Sequence, residues 1–177
     1  TPCISTSNGG SINLTANSIG IHVNLTISAT LAGNVNIYSN GTPIDLGGAD
    51  SASNLGISDA EINRITANVL TIGNSNASSI VNTAPINRTN ATLGRNLTIV
   101  SGGTITQAGG NLSVTGTANF VAVGNAITLN NTTNNFGIVA ANGGTITLND
   151  ANAIQLGMIS ATGDLAMTVG AGAITQT

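Results

Sequence analysis

The stretch "VSGGTITQAGGNLSVTG", Val100 to Gly116, decides how the rest of the chain is read. Within it "GTITQA" and "NLSVTG" alternate apolar and polar residues with the period of two expected of a half-buried strand. Glycine pairs separate the alternating segments, and glycine turns a chain at little steric cost. The stretch therefore reads as strand, turn, strand.

The same pattern runs outward in both directions. "SINLTA", "NLTISA", "NVNIYS", "VLTIGN" and "NLTIVS" come before it; "NFVAVG", "AITLNN", "FGIVAA", "GTITLN", "AIQLGM", "DLAMTV" and "GAITQT" follow. From about residue 96, strands start every eight to ten residues, a spacing that suits a sandwich or barrel as well as a solenoid. A longer repeat separates these alternatives. "NLTIVSGGTITQ" (Asn96 to Gln107) returns as "DLAMTVGAGAITQ" (Asp164 to Gln176), as if a group of about three coils were starting again. A stack of coils restarts its text in this way, and a closed sandwich has no reason to.

Composition agrees with a thin, stacked interior. Of the 177 residues only 2% are aromatic and 5% charged, while 41% are hydrophobic. Burial must come from Ile, Leu, Val and Ala, and large aromatics are not expected to fit between coils. Asparagine suits the corners, where stacked amides hydrogen-bond up and down the ladder. Disordered chains combine low hydrophobicity with high net charge, which this chain does not.

The expected fold is thus all-β, a single-chain parallel β-helix with one interruption. "GISDAEINRITANV" carries a capping box, Ser58 with Glu61 three residues on, and a hydrophobic staple of Ile57 against Ile62. These predict a short helix over Asp59 to Ala67, within the insertion near residues 58–67, with Ile62 and Ile65 on one face. The organisation read from this is N-terminal coils over 1–54, a junction over 55–69 and regular repeats over 70–177, in one continuous stack.

At this point a resemblance enters. "ISDAEINRITANVLTIGNSNA", "NLTIVSGGTITQAGGNLSVTGTANF", "AITLNNTTNNFGIVAANGGTITLNDANAIQLG" and "GDLAMTVGAGAITQ" resemble the repeat region of very large bacterial surface exoproteins related to filamentous haemagglutinin. The likeness covers the chain from about Leu55 onward. It implies a right-handed parallel β-helix, export from a bacterium, and a role as stalk or fibre in adhesion, biofilm or cell-surface structure. The Asn-Pro-Asn-Gly phrase of the secretion domain of such exoproteins is absent, so the likeness stops short of that domain.

Several functions are disfavoured by the residues themselves. Arg64, Arg88 and Arg95 are the only basic residues besides His22, and the net charge is -3. So few cations leave little to neutralise phosphates, and nucleic acid is not an expected partner. No window approaches the roughly 18 apolar residues of a membrane-spanning helix. "TPCISTSNGG" has neither the basic start nor the apolar run of a signal peptide. The carboxylates Asp45, Asp50, Asp59, Glu61, Asp150 and Asp164 are scattered. Asp59 and Glu61 suit the first turn of the helix, and Asp45 and Asp150 suit turns. His22 lacks companions for a metal site and is expected to face outward from a strand. No enzyme activity, metal or cofactor is expected.

Cys3 stands alone and reads as a free thiol. Thr-x-Thr pairs at Thr104/Thr106, Thr115/Thr117 and Thr145/Thr147 would suit ice only if successive coils repeated them in register. "NFVAVG" and "AIQLGM" do not repeat them, so ice is not an expected ligand. Asn-x-Ser/Thr sequons begin at Asn13, Asn24, Asn40, Asn76, Asn87, Asn90, Asn96, Asn111, Asn130 and Asn131, candidate glycan acceptors whose number composition largely explains.

A terminal coil exposes unpaired backbone and apolar interior unless something covers it. Strand-like text begins by Ser11 and continues to "AITQT" with no amphipathic helix or charged cover. Cys3, Ile4, Ile12 and Leu14 at one end, and Leu165, Met167, Val169 and Ile174 at the other, are the expected contacts with adjoining repeats or further copies, head to tail. The function expected is that of a non-enzymatic extracellular structural protein at a bacterial surface, a subunit or segment of a filament or adhesin stalk. The alternative is an adhesin module that binds host or surface glycans through the side of the rod.

Overall fold

The computed structural model describes residues 3–177, and in it the alternating segments become short strands wound about one axis. The first coil supplies β1 (Cys3–Ser5) and β2 (Ile12–Thr15), then an irregular loop over 16–25. The second supplies β3 (Thr26–Ser28), β4 (Val35–Tyr38) and β5 (Ile44–Leu46). The chain then turns back. β6 (Leu55–Ile57) pairs with the edge of β5 that faces the first coil. The helix α1 (Asp59–Ile62) leads from it into β7 (Ile65–Thr66), β8 (Val69–Ile72) and β9 (Ile80–Asn82).

The next turn holds β10 (Ile86–Arg88), β11 (Asn96–Val100) and β12 (Ile105–Gln107). After it come a long strand and a short one, β13 (Leu112–Ala122) and β14 (Ile127–Leu129). The pattern continues through β15 (Asn135–Gly143), β16 (Ile146–Asp150), β17 (Ile154–Ala161), β18 (Leu165–Val169) and β19 (Ile174–Gln176).

All pairings are parallel and fall on three sides. Side two stacks β2, β4, β8 and β11, then the later halves of β13, β15 and β17. Side three stacks β6, β5, β9, β12, β14, β16 and β18. Side one stacks β1, β3 and β7, breaks, and resumes with β10 and the early halves of β13 and β15; the early half of β17 pairs at the bend, Gln155 and Leu156 on Ile138 and Val139, and carries β19. The fold is a parallel β-helix.

The long strands serve two sides because they bend. The register of β13 on β15 shifts between Val114 and Thr117, and Gly116 lies in that bend. A Cβ there would sit 2.8 Å from the carbonyl oxygen of Arg95, and one on Gly137 in the next coil 2.5 Å from that of Thr115. Only glycine lets successive corners approach this closely.

The core is a set of vertical columns. On side three Ile44, Ile80, Ile105, Ile127 and Ile146 stack in register and are all buried. Each such side chain contributes about 1.5–3 kcal/mol on burial. On side two Ile37, Ile72, Ile99, Phe120 and Ala141 form another column.

Three expectations need correction. Aromatics do fit inside: Phe120 and Phe136 are buried with ring centroids 5.7 Å apart in an edge-on arrangement. Room exists because Phe120 stacks on Ala141, whose small side chain leaves the space. The helix ends at Ile62 rather than Ala67, because Ile65 and Thr66 pair with Ile27 and Ser28 as a strand. Finally, the segment repeated at Asp164 to Gln176 does not return to the same place in the coil. β11 lies on side two and its counterpart β18 on side three, while β12 lies on side three and its counterpart β19 on the early half of β17. The likeness is one of strand, turn and strand, at a different place in the coil.

Candidate functional site

Several ionisable groups, Asp50, Asp59, Glu61, Arg64 and Arg88, lie near α1 and loop 16–25, where the stack is irregular. Ser58 caps α1: its hydroxyl oxygen accepts from the Glu61 N–H, and Glu61 Oε2 accepts from the Ser58 N–H at 3.0 Å and hydroxyl at 2.8 Å. The other Glu61 oxygen accepts from the Ile21 N–H at 3.0 Å, and Arg64 Nη1 donates to the Ile21 carbonyl. Together they clasp loop 16–25 to the helix, with Ile21 buried. A second clasp joins the Ser18 hydroxyl to Asp50 at 2.8 Å. Partial burial works to raise the Glu61 carboxyl. The donors at Ile21 and Ser58 and the nearby Arg64 outweigh it and hold Glu61 below the usual carboxylate range.

Arg88 was not singled out by its sequence context, yet it is only 1% exposed. Its Nη1 donates to the carbonyls of Ile65 at 2.8 Å and Ile62 at 3.4 Å, and its Nη2 to that of Leu93 at 2.6 Å. Those carbonyls belong to the gap in side one, between β7 and β10. The guanidinium therefore supplies donors where a strand is missing. Nε has no partner among the described residues, and burial pushes the group down to about 10. The clue in the sequence was length: Ile44 and Ile80 stack as neighbours although α1 and β6 intervene.

A polar column also runs inside one corner. Asn82 donates to the carbonyls of Leu46 and Ala84, and Gln107 bridges Asn82 and Asn134. Asn134 in turn accepts from the Leu112 N–H, as Asp150 accepts from that of Phe136 at 2.7 Å. Side chains here complete backbone pairing that the turns interrupt, as buried polar groups require. Asp150 is thus a buried acceptor as well as a turn former, whereas Asp45 lies on strand β5 rather than in a turn.

Ser58, Glu61 and Arg64 line a shallow cleft of about 360 Å³, but each is already engaged with the backbone or with its neighbour. His22 is exposed on the rim of this cleft, in loop 16–25 and not on a strand. Among the described residues no three His, Cys, Asp or Glu side chains converge as metal ligands would.

At the two extremities the inward columns lose their cover. At one, Ile4, Leu14, Ile19, Ile21, Leu25 and Ile27 line an apolar hollow of about 480 Å³ with Cys3 at its rim. Ile4 is 52% exposed and Cys3 is a free, exposed thiol, while Ile12 is buried and Leu14 partly so. At the other, Leu165 and Ile174 are 49% and 46% exposed, and Met167 and Val169 are partly buried.

The sequon asparagines all lie at the surface. Asn13, Asn24, Asn40, Asn76, Asn90 and Asn130 are exposed, and Asn87, Asn96, Asn111 and Asn131 are half-buried. Asn96 has both ends of its amide engaged, with the Asn68 carbonyl and the Thr117 N–H.

A family model described as repeats of unknown function (DUF5649) matches residues 60–142 and again 143–177. No curated protein and no solved structure matches the chain. With two successive matches over more than half of its length, the chain belongs to this family of repeat proteins.

Proposed function

We propose that this β-helix is a non-enzymatic structural element, a stiff segment of an extracellular filament or adhesin stalk at a bacterial surface. The observation that carries the reading is the unbroken parallel pairing of sides two and three from the first coils to the last. A ladder of this kind adds stability coil by coil and resists bending along its axis. Glu61, Arg64 and Arg88 are engaged with backbone groups, which supports a structural role for them.

The half-exposed Ile4, Leu165 and Ile174 support contact with adjoining coils, either a further repeat of the same polypeptide or a second copy. A head-to-tail contact that does not close into a ring builds a fibre. Placement outside the cell rests on the resemblance to surface exoproteins, whose repeats this text follows.

Electron microscopy of the purified chain at rising concentration tests the reading, together with immunogold labelling of intact source cells. Rods one solenoid wide and label on the cell exterior are expected. Rounded particles with no rod shape, or label confined to the cytoplasm, overturn it. Monomers retained on a glycan array would favour a binding module instead.

A further inference from the structure

The register of side three revises the reading of the Thr-x-Thr pairs. "NFVAVG" and "AIQLGM", which broke the pattern in sequence, lie largely on other strands: Asn119 to Val123 follow the later half of β13, and Ile154 to Met158 belong to β17. Side three itself reads Ser79-Ile-Val81, Thr104-Ile-Thr106, Ala126-Ile-Thr128 and Thr145-Ile-Thr147 on successive coils. The isoleucines stack inside in register, so Thr106, Thr128 and Thr147 form one outward column. Thr104, Ala126 and Thr145, each one residue before those isoleucines, form a second beside it.

This face has the properties of an ordered water template. Thr104 and Thr145 are exposed and Thr106, Thr128 and Thr147 half-exposed. Their hydroxyls make no hydrogen bond to the protein among the described residues. Of the other surface threonines, Thr115 donates its hydroxyl to the Thr89 carbonyl and Thr83 donates to Asp45. Across a strand the two columns stand about 6.7 Å apart, and along the stack their members repeat at about 4.8 Å. Two perpendicular spacings of this size lie close to oxygen repeats of hexagonal ice. Each threonine adds a methyl, around which water cages, to a hydroxyl that can join the lattice.

We propose that side three is an ice-binding face, centred on Thr106, Thr128 and Thr147 and flanked by Thr104 and Thr145. The array is bounded by charge on both sides, with Asp45 stacked on Val81 and Asp164 beside Thr145, so the uncharged rungs are the three that carry Thr106, Thr128 and Thr147. The occupant is the surface of an ice crystal rather than a crystalline polysaccharide, because sugar rings stack on aromatic faces and side three presents none. The array is a few coils deep, so its effect is restraint of ice recrystallisation rather than a large depression of freezing. Tandem repetition of the family unit would widen it.

The test uses the full chain and two single variants, Thr128→Lys at the centre of the array and Asn119→Lys on side two. Grain growth is followed in frozen sucrose, and adsorption of the labelled chain to a single ice crystal is imaged. The chain and Asn119→Lys are expected to hold grains small and coat the crystal, and Thr128→Lys to lose both effects with its melting temperature unchanged. Should Thr128→Lys fail to fold, the milder pair Thr106→Ala with Thr147→Ala replaces it and is expected to show the same loss. Grains that coarsen as in buffer with the unaltered chain, or full activity in the folded Thr128 or paired variant, overturn the proposal. Adsorption to crystalline cellulose without any effect on ice also overturns it.

Discussion

Arg88 Nη1 donates to the carbonyl of Ile65 at 2.8 Å, at the level where side one of the stack lacks a strand pairing. A buried cation is ordinarily costly, and here three carbonyls, those of Ile62, Ile65 and Leu93, are aimed at it. Replacing Arg88 by Met keeps the apolar stem and leaves those acceptors without a donor. We expect a loss of about 3 kcal/mol in denaturant unfolding. A loss below about 1 kcal/mol would mean that the gap closes without the guanidinium.

Glu61 gives the fold an acid-sensitive clasp. Its carboxyl is held below the usual range, so the folded chain binds the proton less readily than the unfolded one. The stability it contributes is therefore present above the ordinary carboxylate range and lost as pH falls through the folded value. Thermal melting of Glu61→Gln against the parent checks this. The gap between the two is expected to be widest at neutral pH and to narrow in acid, with loop 16–25 the first segment to become protease-sensitive.

Gly94 and Gly41 separate backbone strain from collision. Both have left-handed backbone angles, with φ of 90° and 93°. A Cβ on Gly94 would lie 1.8 Å from the Ala67 carbonyl oxygen, while one on Gly41 meets nothing within 4 Å. Gly41→Ala should cost about 1 kcal/mol, the usual penalty of a left-handed alanine. Gly94→Ala should cost about 3 kcal/mol or more, since backbone must also move. Equal costs would contradict the close stacking of these corners.

Phe120 fills the interior beside Phe136 and over Ala141. Phe120→Ala is expected to cost about 3–5 kcal/mol, as large-to-small changes in a packed core do. Ala141→Ile should also destabilise, by about 1–3 kcal/mol, because the ring already occupies the space. Calorimetry of the two variants is the check.

Much of this fold was legible in the order of residues. Period-two segments such as "NLTIVS" and "GTITLN" became strands because one face of each meets a core and the other meets water. The capping box at Ser58 and Glu61 formed because it needs only local geometry. What could not be read is long-range. The return of β6 to the first coil, the strand rather than helix at Ile65, and the burial of Arg88 all depend on which coil lies beside which. The same limit hid the threonine columns: spacing along the chain does not reveal which strands share a side. Charge was legible as scarcity but not as placement, since nothing near Arg88 in sequence marks it as interior.

Stability in this ladder is carried rung by rung, each coil held by the pairing of its neighbours. Native-state hydrogen exchange measured strand by strand tests it most directly. The account predicts the slowest exchange in β8, β11 and β13, falling steadily toward β1 at one end and β19 at the other. Protection in β1 and β19 equal to that of the middle strands would contradict it.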